Sequence, residues 1–176
     1  MSMLQRVQWG VVAVAMALSG CQNTGDSAAN DSHSVDAKVL GEVEWVRVQP
    51  ADTVLLSRVD TGATSSSIDA QDIEYFERNG EKWVRYKLPE KDRKAWIAQE
   101  SKLVKMKTVK RKGAKDERRP VVKMDLVVGP MHKSLDVNLA NRSNFEFAFL
   151  LGRDFIGDFG VVDVTRKNVQ GIPASE

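Results

Sequence analysis

Of 176 residues, 26 are Lys or Arg and 24 are Asp or Glu, so the formal charge is only +2, and 42% of residues are apolar against 28% charged. That balance excludes a collagen-like, disulfide-dense or wholly disordered chain and argues against a general nucleic-acid coat. The length suits one domain with a usable core, one Cys permits no intrachain disulfide, and two His leave little for a histidine-based zinc site.

The chain opens with Arg6, an apolar run from Trp9 to Leu18, and then Ser19-Gly20-Cys21. The run is too short to span a bilayer, which takes about 20 apolar residues, but it suits the apolar region of a signal peptide. The small residues before Cys21 resemble a bacterial lipoprotein box, in which the Cys becomes the lipidated first residue of the mature chain. The resemblance implies a signal peptide over 1–20, a lipidated Cys21 that begins a flexible tether over 21–38, and a domain over 39–176. The residue after the Cys is Gln22 and not an inner-membrane-retaining Asp, which points to the outer membrane, with the domain facing the periplasm. Residues 22–37 contain almost no large apolar side chain, as a solvated tether would, and His33 lies within them.

From Val39 onward the apolar period is two, as in Val43-Glu-Trp45 and Val122-Lys-Met124-Asp-Leu126, so the domain is expected to be built from half-buried strands. Asn79-Gly80 sits between Ile73–Phe76 and Trp83–Leu88 and predicts a tight hairpin. A longer hairpin is expected to join Leu103–Val109 to Val121–Val128 through a charged tip, and a third joins that strand to Leu135–Leu139. Asp69 and Ser101 are candidates to cap single helical turns, and a short helix is possible over Asp154–Phe159. Many short strands at close spacing predict an all-β fold, a small barrel or sandwich.

The most informative stretch is Val54–Val59 running into Asp60-Thr61-Gly62-Ala63. A strand delivers a carboxylate to a turn, Gly62 lets backbone approach closely, and Thr61 offers a hydroxyl to brace the loop. This stretch resembles the active-site loop of aspartic peptidases. About 90 residues on, Phe149-Leu150-Leu151-Gly152-Arg153-Asp154 resembles the strand that passes beside that loop in retroviral-type enzymes. The wider pattern is Arg58–Ala63, Trp83-Val84, Arg119–Val122, Asn141-Arg-Ser143 and Leu150–Arg153. It is similar to the bacterial retropepsin-like peptidases once labelled ATP-dependent zinc proteases, over about 39–170. The resemblance implies a small closed β-barrel with a flap hairpin. The older label finds no support in the residues: there is no His-Glu-x-x-His, no His pair at helical spacing and no phosphate loop, so neither zinc nor ATP nor another cofactor is expected.

Such a peptidase needs two carboxylates that share one proton. Asp60 alone stands in the required loop, so the second must come from a twofold partner, and a homodimer is required for activity. On the resemblance, Thr61 would link the two loops, Gly62 would line the floor, and Leu150, Leu151, Gly152 and Arg153 would support the site, Arg153 by pairing with a carboxylate. Ala63 and Thr64 would contact substrate, with Lys110, Arg111 and Gly113 of the flap. Thr64-Ser65-Ser66-Ser67 supplies hydroxyls where retroviral enzymes place acidic residues that grip the substrate backbone.

Between Lys102 and Arg119 the sequence carries nine basic residues against Asp116 and Glu117, a local excess of +7. A solvated hairpin edge protected from aggregation accounts for such charge, and an acidic peptide, an anionic polymer or lipid head groups would be its natural partners. The expected function is a lipid-anchored aspartic endopeptidase. The alternative is a binding or regulatory lipoprotein that keeps the fold without turnover.

Overall fold

The computed structural model describes residues 38–110, 113 and 116–174. The expected signal peptide, Cys21, the tether up to residue 37 and the flap residue Arg111 lie outside the described residues.

The strands in chain order are β1 (Lys38–Gly41), β2 (Val43–Gln49), β3 (Thr53–Val59), β4 (Ser67–Asp69), β5 (Gln71–Arg78), β6 (Glu81–Pro89), β7 (Trp96–Lys102), β8 (Lys105–Val109), β9 (Glu117–Val128), β10 (Met131–Ala140), β11 (Phe149–Leu151) and β12 (Gly160–Asp163). One helix, α1 (Arg153–Phe159), sits between the last two. Strands β10, β4, β11, β3, β2 and β9 pair in that order, and β9 pairs back onto β10, which closes a six-stranded barrel. Closure removes the free edges that an open sheet of these strands would expose. Period-two side chains such as Val46, Val48, Leu55, Ile68, Val122, Leu126, Leu139 and Phe149 fill its interior and are fully or almost fully buried.

Three hairpins stand where turn chemistry predicts them. Asn79 and Gly80 take φ of 54° and 75°, the left-handed pair that a two-residue turn between β5 and β6 requires. Gly129, with φ 52°, turns β9 into β10. Strand β8 leaves the barrel edge and pairs with β9 from Lys105 opposite Val121 to Val109 opposite Glu117, forming the base of the flap hairpin. Strands β5, β6 and β7 form a separate sheet whose Val84, Tyr86 and Leu88 are buried in the same apolar core.

Two helix-capping expectations fail. Ser101 lies in β7 with its hydroxyl 2.8 Å from the Tyr86 hydroxyl, and Asp69 lies at the end of β4, buried, where it accepts the Arg142 N–H at 2.7 Å. Both polar groups are taken by neighbouring strands or loops, so no helical turn competes for them.

Strand β1 pairs in parallel with β12, and residues 166–173 pass across β2. Glu44, on the face of β2 that the tail covers, is fully buried and accepts N–H bonds from Gly41 at 2.6 Å, Val169 at 3.0 Å and Gln170 at 3.1 Å. Gln170 also donates to the Val39 carbonyl at 2.6 Å, and Arg47 donates to the Pro173 carbonyl at 2.9 Å. A Cβ on Gly41 would lie 2.6 Å from the Arg166 carbonyl oxygen, so only glycine fits this clasp.

Candidate active site

Asp60 follows β3 directly, and the placement of its loop is set by β11. Leu150 and Leu151 run parallel to Arg58 and Val59, and the Asp60 N–H donates to the Leu151 carbonyl at 2.9 Å. One turn later the Arg153 N–H donates to the Ala63 carbonyl at 2.9 Å. Leu151 is buried and anchors this crossing, while Leu150, half-buried, faces the cleft beside the loop. A Cβ on Gly152 would stand 2.6 Å from the Ser65 carbonyl carbon, so this glycine is what lets β11 pass so close to the loop.

The Asp60 carboxylate is half-exposed, and its Oδ1 accepts the Gly62 N–H at 2.8 Å and the Ala63 N–H at 3.2 Å. Two N–H donors thus fix the carboxylate orientation. Thr61 and Gly62 are exposed at the loop tip. Arg153 braces that tip in a different way from the expected carboxylate pair: its Nη1 donates to the Thr61 and Gly62 carbonyls at 2.8 and 3.0 Å, and its Nη2 to the Thr64 hydroxyl at 3.2 Å. The loop has no acidic side chain beyond Asp60, so the guanidinium satisfies carbonyls instead.

The serines that follow are structural. Ser66 is fully buried, donates its hydroxyl to Asp154 at 2.7 Å and its N–H to the same carboxylate at 2.8 Å, and accepts the Gly152 N–H at 3.0 Å. Asp154, at the start of α1, therefore locks the loop to the helix. Ser65 accepts hydrogen bonds from Lys107 of β8 and from Asn138 of β10. The flap base is thereby joined to the Asp60 loop through one hydroxyl.

Beside the loop lies a cleft of about 350 Å3. Ala63, Thr64 and Leu150 line one side of it, and Lys107, Lys110, Arg119 and Arg142 bring four cations to it. Of the expected flap contacts, Lys110 therefore reaches the cleft, while Gly113 is an exposed turn residue with φ 78° that does not line it. Sequence reasoning gave Arg142 no role in the site. It is 6% exposed, donates through Nη1 to Ser67 at 3.0 Å and through Nε to the Phe147 carbonyl at 3.2 Å, and stacks 4.7 Å from the Phe145 ring centroid. Arg93 lies behind it, with Nε 3.2 Å from Asp69 Oδ2 in an ion pair whose angle makes no hydrogen bond. Burial holds the Arg142 pKa below the usual arginine value, as do the nearby Arg119 and Arg93, against the opposite pull of Asp69 and Asp60. The available signal was the Asn141-Arg-Ser143 stretch, whose arginine follows a strand of almost wholly apolar inward residues.

Known proteins match this chain in ways that accord with its geometry. Four curated proteins match it, and each is named a probable alpha-L-glutamate ligase. One, from Shewanella pealeana, is 33% identical over 129 residues, which is 71% of this chain and 28% of that protein. Another, from Desulfotalea psychrophila, is 29% identical over 135 residues, 75% of this chain and 29% of that protein. The chain thus spans under a third of the length of the curated relatives it matches. A crystal structure of a protein of unknown function from Legionella pneumophila superposes with a TM-score of 0.66 at 29% identity, covering 77% of this chain and 98% of that one. The family model described as retropepsin-like aspartic endopeptidase RimB matches residues 39–173, and the chain belongs to this RimB-like family.

Proposed function

We propose that the domain is an aspartic endopeptidase that acts as a homodimer, with Asp60 of each subunit forming the dyad. The observation that carries this reading is the Asp60 loop: a half-exposed carboxylate oriented by two N–H donors at the end of a barrel strand and backed by Leu151 and Gly152. In the reaction one carboxylate takes a proton from water as the water oxygen bonds to the scissile carbonyl carbon. The protonated partner gives its proton to the carbonyl oxygen. Breaking the C–N bond then returns a proton to the leaving amine. Thr61 would connect the two loops across the twofold axis.

The substrate class is an acidic peptide. Four cations at the cleft support this, and so does the name of the relatives, probable alpha-L-glutamate ligases, since glutamate is an acidic residue. The lipoprotein box at Cys21 supports anchoring to the outer membrane with the domain in the periplasm.

The test is cleavage of a peptide library rich in Asp and Glu by the full chain and by Asp60→Asn. Turnover should fall by about a thousandfold or more in the variant while the fold persists by circular dichroism. Light scattering over a concentration series should show a dimer, in solution or on vesicles that carry the acylated chain. Equal activity of the variant would refute the dyad. A second reading, a module that presents acidic peptides without cutting them, is favoured by the occurrence of this region within longer proteins named ligases. It requires binding without turnover in both forms.

A further inference from the structure

We infer that Arg142 is the specificity-determining residue of the cleft, taking a side-chain carboxylate of the peptide bound beside the Asp60 loop. For turnover this rests on the peptidase reading; for binding it does not.

The first support is preorganisation. A charged side chain this buried is rare unless it has a partner or a task. Arg142 is held on three sides, by Ser67, by the Phe147 carbonyl and by the Phe145 ring, and its own N–H is fixed on Asp69. Nε and Nη1 are committed to these bonds, and Nη2 makes no hydrogen bond among the described residues. A guanidinium frozen in this way gives up little conformational entropy when it meets a ligand. The other cations of the cleft are different: Lys110 is exposed, Lys107 is engaged with Ser65, and Arg119 donates to Glu117 at 2.9 Å. They suit attraction of an anion more than recognition of one.

The second support is the local charge. Arg93, Arg119 and Arg142 are offset by three carboxylates, Asp60, Asp69 and Glu117, and Lys107 and Lys110 then leave an excess of two cations around the cleft among these described residues. Arg119 Nε is buried with no hydrogen-bond partner among the described residues. Excess positive charge beside a nearly dry guanidinium is costly, and an incoming carboxylate would offset that cost. An amide of the same shape would not, because the guanidinium would lose water without gaining a counter-charge. Sites built on buried polar groups reject a mismatched group far more strongly than apolar pockets reject a mismatched shape. The chemistry therefore selects Glu or Asp over Gln or Asn.

The experiment measures binding of two octapeptides, one with four consecutive Glu and the other with four consecutive Gln, to the full chain carrying Asp60→Asn. The Glu peptide should bind at least about tenfold more tightly. Adding Arg142→Met should bring that ratio down to about threefold or less, whereas Lys123→Met, which removes one cation outside the cleft, should leave it unchanged. Ser67→Ala, which releases Nη1 while keeping the charge, should lower the ratio by an intermediate amount and covers the case in which Arg142→Met does not fold. An unchanged ratio in Ser67→Ala and in any folded Arg142 variant would overturn the inference, as would failure of both peptides to bind. If the native chain cuts neither peptide and the ratio still depends on Arg142, the peptidase reading fails and this one stands.

Discussion

Glu44 and Asp69 are both fully buried carboxylates, and they meet the same desolvation cost by different means. Glu44, in the clasp where β1 meets the tail, is surrounded by three backbone N–H groups. Asp69, at the end of β4, accepts one backbone N–H and faces the guanidinium of Arg93, with Arg142 and Arg119 beyond. Peptide dipoles solvate an anion without adding net charge, so the clasp is electrostatically closed. Arginines surround Asp69 with cations, two of which, Arg119 and Arg142, line the cleft. Buried acid thus serves in one place to hold the chain together and in the other to support cations.

Substitutions can break or sharpen this contrast. The largest effect is expected for Asp69→Asn, which strips the buried arginines of their counter-charge and should lower the unfolding free energy of the full chain by about 3–5 kcal/mol in urea titration. Glu44→Gln keeps one acceptor oxygen but turns an NH2 group toward a backbone donor, and the loss should be smaller, about 1–3 kcal/mol. A reversed order would show that dipoles and cations are not the relevant difference. Asp136 is the outside standard, a partly exposed carboxylate with Lys105 and Lys123 each at 3.2 Å, and Asp136→Asn should cost under about 1 kcal/mol. Burial pushes the Asp136 pKa up, but the two lysines outweigh it and hold it below the ordinary 3.8. Its small contribution is therefore present above that value and fades as the pH falls through the lowered one, which acid titration of native against Asp136→Asn would reveal.

Much of the fold was legible because short-range chemistry and long-range packing agree over most of it. The Asn79-Gly80 and Gly129 turns, the alternation of β9 and the helix after Arg153 all follow from local rules. The Asp60 loop and the strand behind it were legible together because two separated motifs point to one crossing. The polar groups that only tertiary contact can satisfy were not. In Val43-Glu-Trp45 the alternation puts Glu44 on what reads as the solvent face, and nothing nearby indicates that residues 166–173 will cover it. Asp69 looked like a helix cap because its partners, Arg93 and Arg142, are remote in sequence. The Arg153 contact differed from expectation for a related reason: the carbonyls it binds become acceptors only once the loop has turned.

The clasp has a further consequence. Because β1 pairs with β12 and Gln170 reaches Val39, the points at which the chain enters and leaves the barrel lie side by side. A domain closed in this way can be spliced into a larger polypeptide as a cassette, with a neighbour on either flank and no strand of the barrel rearranged.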